Sequence, residues 1–310
     1  MEYITIAGTD LKVSRLALGM MRIADKSVDE AEALIHEALA QGINFFDHAD
    51  IYGRGECERI FGEVLRRNPN LRDKMIIQTK CDIVPEYAGG PRYDTSREHI
   101  LAQVEKSLEN LHTDHVDVLL IHRPDALCDP IELAEVFEEL HDKKMVRYFG
   151  VSNHSVSKME LLSKYVKQPL IFNQLQFSIV HSYMIDAEFC VNMNDNRSID
   201  RDNGMINYCQ YHDITIQTWG SLQASWEDGT FIDNPKYAKL NQVLERLAKE
   251  YNVTKSAIAL AWILRHPAKM QAIIGTTSPA HLKESCRATD VHLTRQQWYD
   301  LYMAEDKIVP

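Results

Sequence analysis

Short apolar runs rich in β-branched and aromatic residues alternate along the chain with longer stretches in which apolar positions recur every three or four residues. The short runs fall at residues 15–18, 44–46, 75–79, 116–121, 147–150, 170–173, 214–218 and 271–274. Runs of this length and composition predict buried strands, and the 3.6-residue period between them predicts helices. Strands alternating with helices build parallel βα units, and eight such units predict a (β/α)₈ TIM barrel, a single domain over residues 1–310.

The helices carry start and stop signals of their own. Ser27-Val28-Asp29-Glu30 has the spacing of a capping box, an apolar stripe runs through Val28, Ala31, Leu34, Ile35, Ala38 and Leu39, and Gly42 stands where a C-terminal cap belongs. Thr95-Ser96-Arg97-Glu98 and Thr294-Arg295-Gln296-Gln297 repeat the box spacing, and Asp129-Pro130 opens a further helix. The connections at residues 81–94, 178–203 and 220–234 are longer than packing requires. Each follows a strand, and the loops at strand C-termini are where a barrel builds its site.

Composition narrows the possible partners. With 34 Lys+Arg against 45 Asp+Glu the formal charge is −11, which argues against nucleic-acid backbones and anionic membranes, since both select concentrated positive charge. The opening segment lacks the basic start and apolar stretch of a secretion signal, so a cytoplasmic location is expected. Six scattered cysteines, without C-x-x-C pairs, predict reduced structural thiols and no metal site. Oligomeric state is left open.

Four polar residues sit at or just after successive strands, points that converge on one mouth of a barrel: Asp47 and Tyr52 in FFDHADIYG, Lys80 in MIIQTK and His122 in VDVLLIH. Singly, each has an ordinary explanation as a half-buried loop aromatic, a strand-end cation or a satisfied histidine. Together they form a set suited to delivering a proton to a carbonyl oxygen as hydride reaches its carbon. A free phenol, with a pKa near 10, is too weak an acid at neutral pH, and a nearby ammonium is expected to lower that value. Asp47 is expected to hold Lys80 charged and in place, with His122 orienting the substrate oxygen.

The sequence resembles the aldo-keto reductase superfamily over nearly its whole length, through LKVSRLALGM, DHADIYG, IIQTK, LLIHRPD, RYFGVSNHS, FNQLQFS, IQTWGSL and IIGTTSPAHLKES in that order. The resemblance implies reduction of a small aldehyde or ketone by hydride from NAD(P)H, without a metal, with Asp47, Tyr52, Lys80 and His122 as the catalytic residues. It also implies cofactor contacts. Gly19 and Met20 follow the first strand; Ser152, Asn153 and Gln174 match residues that hold the nicotinamide carboxamide; Trp219 matches a residue that stacks on the ring. Gly220, Ser221 and Leu222 follow it, and Gly275, Thr276, Thr277, His281, Glu284 and Ser285 match the adenosine phosphate segment.

Some of these residues have alternative readings: Ser152-Asn153 as a helix N-cap, and Trp219 as a core aromatic. The chain also departs from the family pattern. Gly275, Thr277 and His281 stand where many relatives carry a Lys or Arg for the 2′-phosphate, so NADP(H) is expected with NAD(H) as competitor, helped by Lys283 or Arg287. Tyr251 and Lys255 have the Tyr-x-x-x-Lys spacing of another reductase class but lack its glycine-rich motif, and are read as surface residues. Met21, Tyr87, Tyr93, Tyr183 and Trp226 are candidates for the substrate pocket. A cofactor-binding subunit with little turnover, on the same fold, is the alternative function.

Overall fold

The computed structural model describes residues 1–194 and 196–310. Eight strands form one closed parallel barrel: β1 (Leu16–Gly19), β2 (Phe45–Asp47), β3 (Ile76–Cys81), β4 (Val116–Ile121), β5 (Val146–Ser152), β6 (Leu170–Gln176), β7 (Thr215–Trp219) and β8 (Gln271–Ile274). They run around it in sequence order, and β8 closes on β1 by pairing Ala272 with Leu16 and Ile274 with Leu18. Around them lie α1 (Val28–Ala40), α2 (Glu56–Arg67), α3 (Arg97–Leu111), α4 (Pro130–Asp142), α5 (Val156–Ser163), α6 (Tyr183–Phe189), α7 (Met205–Tyr211), α8 (Ala238–Tyr251), α9 (Lys255–Leu264), α10 (Pro279–Cys286) and α11 (Arg295–Met303). Among the described residues no helix is long and apolar enough to cross a membrane.

All eight expected runs are strands, but several extend further at the C-terminal end. β3 runs to Cys81, β5 to Ser152, β6 to Gln176 and β7 to Trp219, because ladder bonds continue past the apolar residues that mark the run: Gln174 pairs with Ser152 and Gln176 with Trp219. The polar residues of the mouth are therefore held by strand geometry rather than by loops.

The capping signals largely hold. Ser27 and Thr294 complete capping boxes with Glu30 and Gln297, and Asp129 accepts from the Ile131 amide. At α3 the cap falls one residue later than expected. Ser96 accepts from the His99 amide, while the Thr95 hydroxyl is buried and donates to Asp125 Oδ2 at 2.9 Å. The three long connections carry structure of their own. Residues 81–94 contain a hairpin of Ile83–Val84 with Arg92–Tyr93, residues 220–234 one of Gln223–Ser225 with Gly229–Thr230, and α6 lies within 178–203.

An N-terminal hairpin, Tyr3–Thr5 with Lys12–Ser14, is not among the expected elements. It puts Ile6, Leu11 and Val13 against Ala17, Phe45 and Phe172 and so plugs the barrel floor with apolar surface. The main core fills the layer between the strands and the helices. There Trp262 of α9 and Trp298 of α11 stack at 4.8 Å between ring centroids, and each indole donates to the other's backbone carbonyl at 3.1 Å. All six cysteines are unpaired.

Tyr251 and Lys255 are not simply surface residues. The Tyr251 hydroxyl donates to Gln297 Oε1 at 2.8 Å and Lys255 pairs with Asp233, so each ties its helix to a neighbouring segment. Trp298→Ala should lower the urea midpoint by the equivalent of about 3 kcal/mol, since truncating a buried tryptophan leaves a cavity and here also removes the indole donor to the Trp262 carbonyl; denaturation followed by circular dichroism checks this.

Candidate active site

β2 ends at Asp47, whose neighbours across the ladders are Gly19 on β1 and Gln78 on β3. The chain then follows the edge of β3, with the His48 amide donating to the Gln78 carbonyl at 2.8 Å and the Asp50 amide to the Lys80 carbonyl at 3.0 Å. This path brings the His48 carbonyl and Tyr52 over Lys80. Tyr52 opens a short 3₁₀ turn (Tyr52–Gly55). Gly53 follows at φ +57, and a Cβ there would lie 2.5 Å from the Ala24 Cβ, so both conformation and space require glycine.

Lys80 is fully buried, and every hydrogen of its ammonium is used. Nζ donates to Asp47 Oδ1 and Oδ2 at 2.8 and 2.9 Å, to the His48 carbonyl at 2.6 Å and to Tyr52 Oη at 3.2 Å. The phenol oxygen thus accepts from Lys80, and its own O–H remains to be given elsewhere. The His122 ring meets Tyr52 edge-on at 6.0 Å, with its Nδ1 buried and without a partner among the described residues. Asp47, Tyr52, Lys80 and His122 form one cluster, with the hydroxyl within reach of the amine.

The electrostatics differ from the expectation in one respect. Burial pushes the Tyr52 phenol above its ordinary value, more than the Lys80 ammonium draws it down. Lys80 is charged despite burial, which alone would lower it, because Asp47 and Tyr52 hold it above its ordinary value. Burial, reinforced by the charges of Lys80 and Arg123, drives His122 well below its ordinary range, so the imidazole is neutral.

Ser152, Asn153, Gln174 and Trp219 also meet at the mouth. Ser152 Oγ donates to the Gln174 carbonyl at 2.9 Å, Asn153 Nδ2 to Ser152 Oγ at 2.8 Å, and the Trp219 indole to Asn153 Oδ1 at 3.1 Å. The helix-cap alternative for Ser152-Asn153 does not hold, since Ser155 caps α5 and Asn153 sits at φ +56. Trp219 is half-buried at the rim, not a core residue. The Gln174 side chain turns inward, and its Nε2 donates to Asp47 Oδ1 and Gln217 Oε1 at 3.0 and 3.1 Å. One hydrogen of Asn153 Nδ2 and the amide oxygen of Gln174 remain for a ligand, a donor and an acceptor as a carboxamide requires.

Gly19 packs against Ile273, Met20 is buried, and Gly220 turns the chain at φ +65. The Ser221 hydroxyl donates to the Thr218 carbonyl at 3.0 Å, and the Leu222 carbonyl receives the Thr230 hydroxyl at 2.8 Å. After β8, Thr276 Oγ1 accepts from the Ser278 amide, and Ser278 caps α10. His281 and Glu284 are exposed on that helix, whereas Ser285 lies on its buried side.

The sequence pattern does not reveal Arg22. Its guanidinium stands 4.0 Å from where a Cβ on Gly275 would be, in the space a longer side chain at 275 would otherwise use. Arg287, one of the two cations expected to help with the phosphate, pairs with Asp290. Nor does the pattern single out Gln78, Gln217 and Gln271, which sit within strand runs as ordinary interior positions. Met21, Tyr87, Tyr93, Tyr183 and Trp226 are all exposed large side chains.

A closed parallel barrel with this cluster at its strand C-termini defines a class of enzyme, and sequence comparison agrees. The Aldo/keto reductase family profile matches residues 15–305, and the chain belongs to that family. Its relatives include a 6-dehydroglucose reductase of Agrobacterium fabrum, 36% identical over 94% of both chains, and the oxidoreductase YdhF of Escherichia coli, 34% identical over 98% of this chain and 97% of that one. The crystal structure of the thermostable aldo-keto reductase Tm1743 superposes with a TM-score of 0.77 over 98% of this chain and all of the other, at 24% identity, which supports the shared fold. The chain is an oxidoreductase of the aldo-keto reductase type.

Behind the cluster, Asp82 after β3 is fully buried at φ +106; its Oδ2 accepts from the Arg123 amide at 3.0 Å and its Oδ1 has no partner among the described residues. Burial pushes its carboxyl up to about 8. An acid that keeps its proton in the fold but loses it in the unfolded chain contributes stability that is complete below its unfolded pKa, about 3.9, and is lost as pH rises through about 8. Asp82→Asn should therefore flatten the decline of stability across that window and be the more stable form at its upper end, as urea midpoints taken at a series of pH values would show.

Proposed function

We propose that the protein reduces a small aldehyde or ketone with NADPH, Tyr52 supplying the proton. The observation that carries this reading is the use of all three Lys80 hydrogens, one of them on the phenol oxygen. The Tyr52 O–H is thereby left to point at an incoming carbonyl. A bound reduced nicotinamide supplies hydride to the carbonyl carbon. As negative charge builds on the carbonyl oxygen, Tyr52 passes its proton there, and the Lys80 ammonium stabilises the phenolate that remains. His122, neutral, donates a hydrogen bond that orients the oxygen. Burial keeps the phenol protonated until the transfer, and Asp47 keeps Lys80 charged throughout.

For the cofactor, Asn153 and Gln174 present a donor and an acceptor to the carboxamide, and Trp219 offers its ring face for stacking. Arg22 supplies the cation that Gly275 lacks, beside the capped start of α10, which favours NADPH over NADH. The relatives named 6-dehydroglucose reductases make a sugar aldehyde a sensible member of any substrate panel. The exposed aromatics Tyr87, Tyr93 and Trp226 suit a sugar or an aromatic carbonyl equally.

Oxidation of NADPH with 4-nitrobenzaldehyde and DL-glyceraldehyde tests the chemistry. Tyr52→Phe should lose at least about a hundredfold in kcat, the scale of a lost general acid, while binding NADPH as the wild type does; equal turnover by the two proteins would remove the mechanism. Arg22→Ala should weaken NADPH more than NADH in titrations of Trp219 fluorescence, by a factor on the order of ten, as expected for a lost charge-assisted phosphate contact.

A further inference from the structure

The interior of a (β/α)₈ barrel is ordinarily filled by branched apolar side chains. Here β3, β6, β7 and β8 point glutamines inward. Gln78, Gln217 and Gln271 are fully buried and Gln174 is 3% exposed. They are neighbours by register: Gln174 pairs with Gln217, Gln217 with Gln271, and Gln78 with Asp47. Buried amides are costly unless bonded, and these bond to one another. Gln271 Nε2 donates to the Ser14 carbonyl at 2.8 Å, and Gln217 Nε2 to Gln271 Oε1 at 2.8 Å. Gln217 Oε1 then accepts from Gln78 Nε2 at 2.9 Å and Gln174 Nε2 at 3.1 Å, and both of those nitrogens donate to Asp47 Oδ1, at 2.5 and 3.0 Å.

The direction of this chain is fixed from both ends. The Ser14 carbonyl can only accept, so Gln271 must turn its nitrogen to it and its oxygen to Gln217. That forces Gln217 to present nitrogen to Gln271 and oxygen to Gln78 and Gln174. At the other end a carboxylate also only accepts, so Gln78 and Gln174 must present nitrogen. Reversing any one amide would set oxygen against oxygen or nitrogen against nitrogen at two contacts, or at three for Gln217. Oδ1 of Asp47 is thus gripped by two amide donors from below and by Lys80 from the side, which fixes the carboxylate in the rotamer that also gives Oδ2 to the ammonium.

We infer that Gln271, Gln217, Gln78 and Gln174 are positioning residues: a one-way hydrogen-bond relay running from the barrel floor to Asp47 that holds its carboxylate on Lys80. The inference rests on the reading of Tyr52 as proton donor. Lys80 also faces His48 and Asp50 from the chain after β2, Glu58 from α2 and His122 from the end of β4. Of the groups around it, among the described residues, only Asp47 and Tyr52 bond its nitrogen through side chains. Freeing the carboxylate therefore lets the ammonium lose its proton more readily, and the coupled Lys80–Tyr52 pair then titrates at lower pH.

The test is the pH profile of NADPH oxidation with 4-nitrobenzaldehyde for Gln217→Met, which keeps the volume of the hub and removes its polar group. The relay predicts kcat lower by roughly tenfold to a hundredfold, as small misplacements of reacting groups cause, an alkaline limb moved down by about one pH unit, and an unchanged Kd for NADPH. A profile that superposes on the wild type in shape and height overturns it. If that variant does not fold, Gln271→Met at the floor end carries the same expectation, and a wild-type profile from it would overturn the relay equally. In the wild type, the relay further requires the four glutamine side-chain amides to be protected from hydrogen exchange in ¹⁵N spectra; fast exchange at Gln217 would refute it without any substitution. Failure of the proton-donor reading looks different, since Tyr52→Phe would then match the wild type while the amide protection could still be present.

Discussion

A lysine ammonium with no solvent contact is the constraint around which the mouth of this barrel is organised. Taking that charge out of water costs several kcal/mol unless its hydrogens are satisfied and its charge is matched. Asp47, the His48 carbonyl and the Tyr52 phenol do both, within 3.2 Å. The same arrangement that makes Lys80 tolerable is the one that the proposed role of Tyr52 draws on. An oxygen that already accepts from an ammonium is prepared to carry negative charge once its own proton has gone. Stability and the proposed reactivity draw on one set of hydrogen bonds.

The two ends of the barrel divide the work. The floor is closed by apolar surface from the N-terminal hairpin, with Ile6, Leu11 and Val13 packed on Phe45 and Phe172. The mouth is lined by polar residues lying within the strands or just beyond them. Strand ladders place Asp47 beside Gln78 and Ser152 beside Gln174 with far less freedom than loops would allow. Between floor and mouth the interior is polar where a barrel is usually apolar. The cost of those buried amides is offset because each amide nitrogen finds an acceptor, although Gln78 Oε1 has no partner among the described residues, and the chain of donors specifies one arrangement of the groups it touches.

Much of this architecture is legible in the string of residues. All eight strands are marked by short apolar runs, because a strand buried on both faces must be apolar along its length. The caps at Ser27, Asp129 and Thr294 follow from side chains that bond the backbone a few residues away, an interaction local in sequence. The co-location of Asp47, Tyr52, Lys80 and His122 follows once the strands are counted, since a barrel brings its strand ends together whatever the loops do.

What the pattern could not supply depends on distance along the chain. The strands outlast their apolar runs because ladder bonds ignore side-chain type, so Ser152, Gln176 and Trp219 proved to be strand residues. The direction of the Tyr52 shift depended on how deeply the phenol is buried, which no local spacing states. Arg22 and Gly275 lie near opposite ends of the chain and meet only because β8 closes on β1. Gln78, Gln217 and Gln271 look ordinary in a run of letters, since a buried amide has meaning only through its partner. Elements, their order and the chemical types at the strand ends are written in the residues themselves, because local bonding and periodic burial set them. Which polar groups touch, and which way their hydrogens point, was settled only by closure of the barrel, because those contacts join residues that no local interaction brings together.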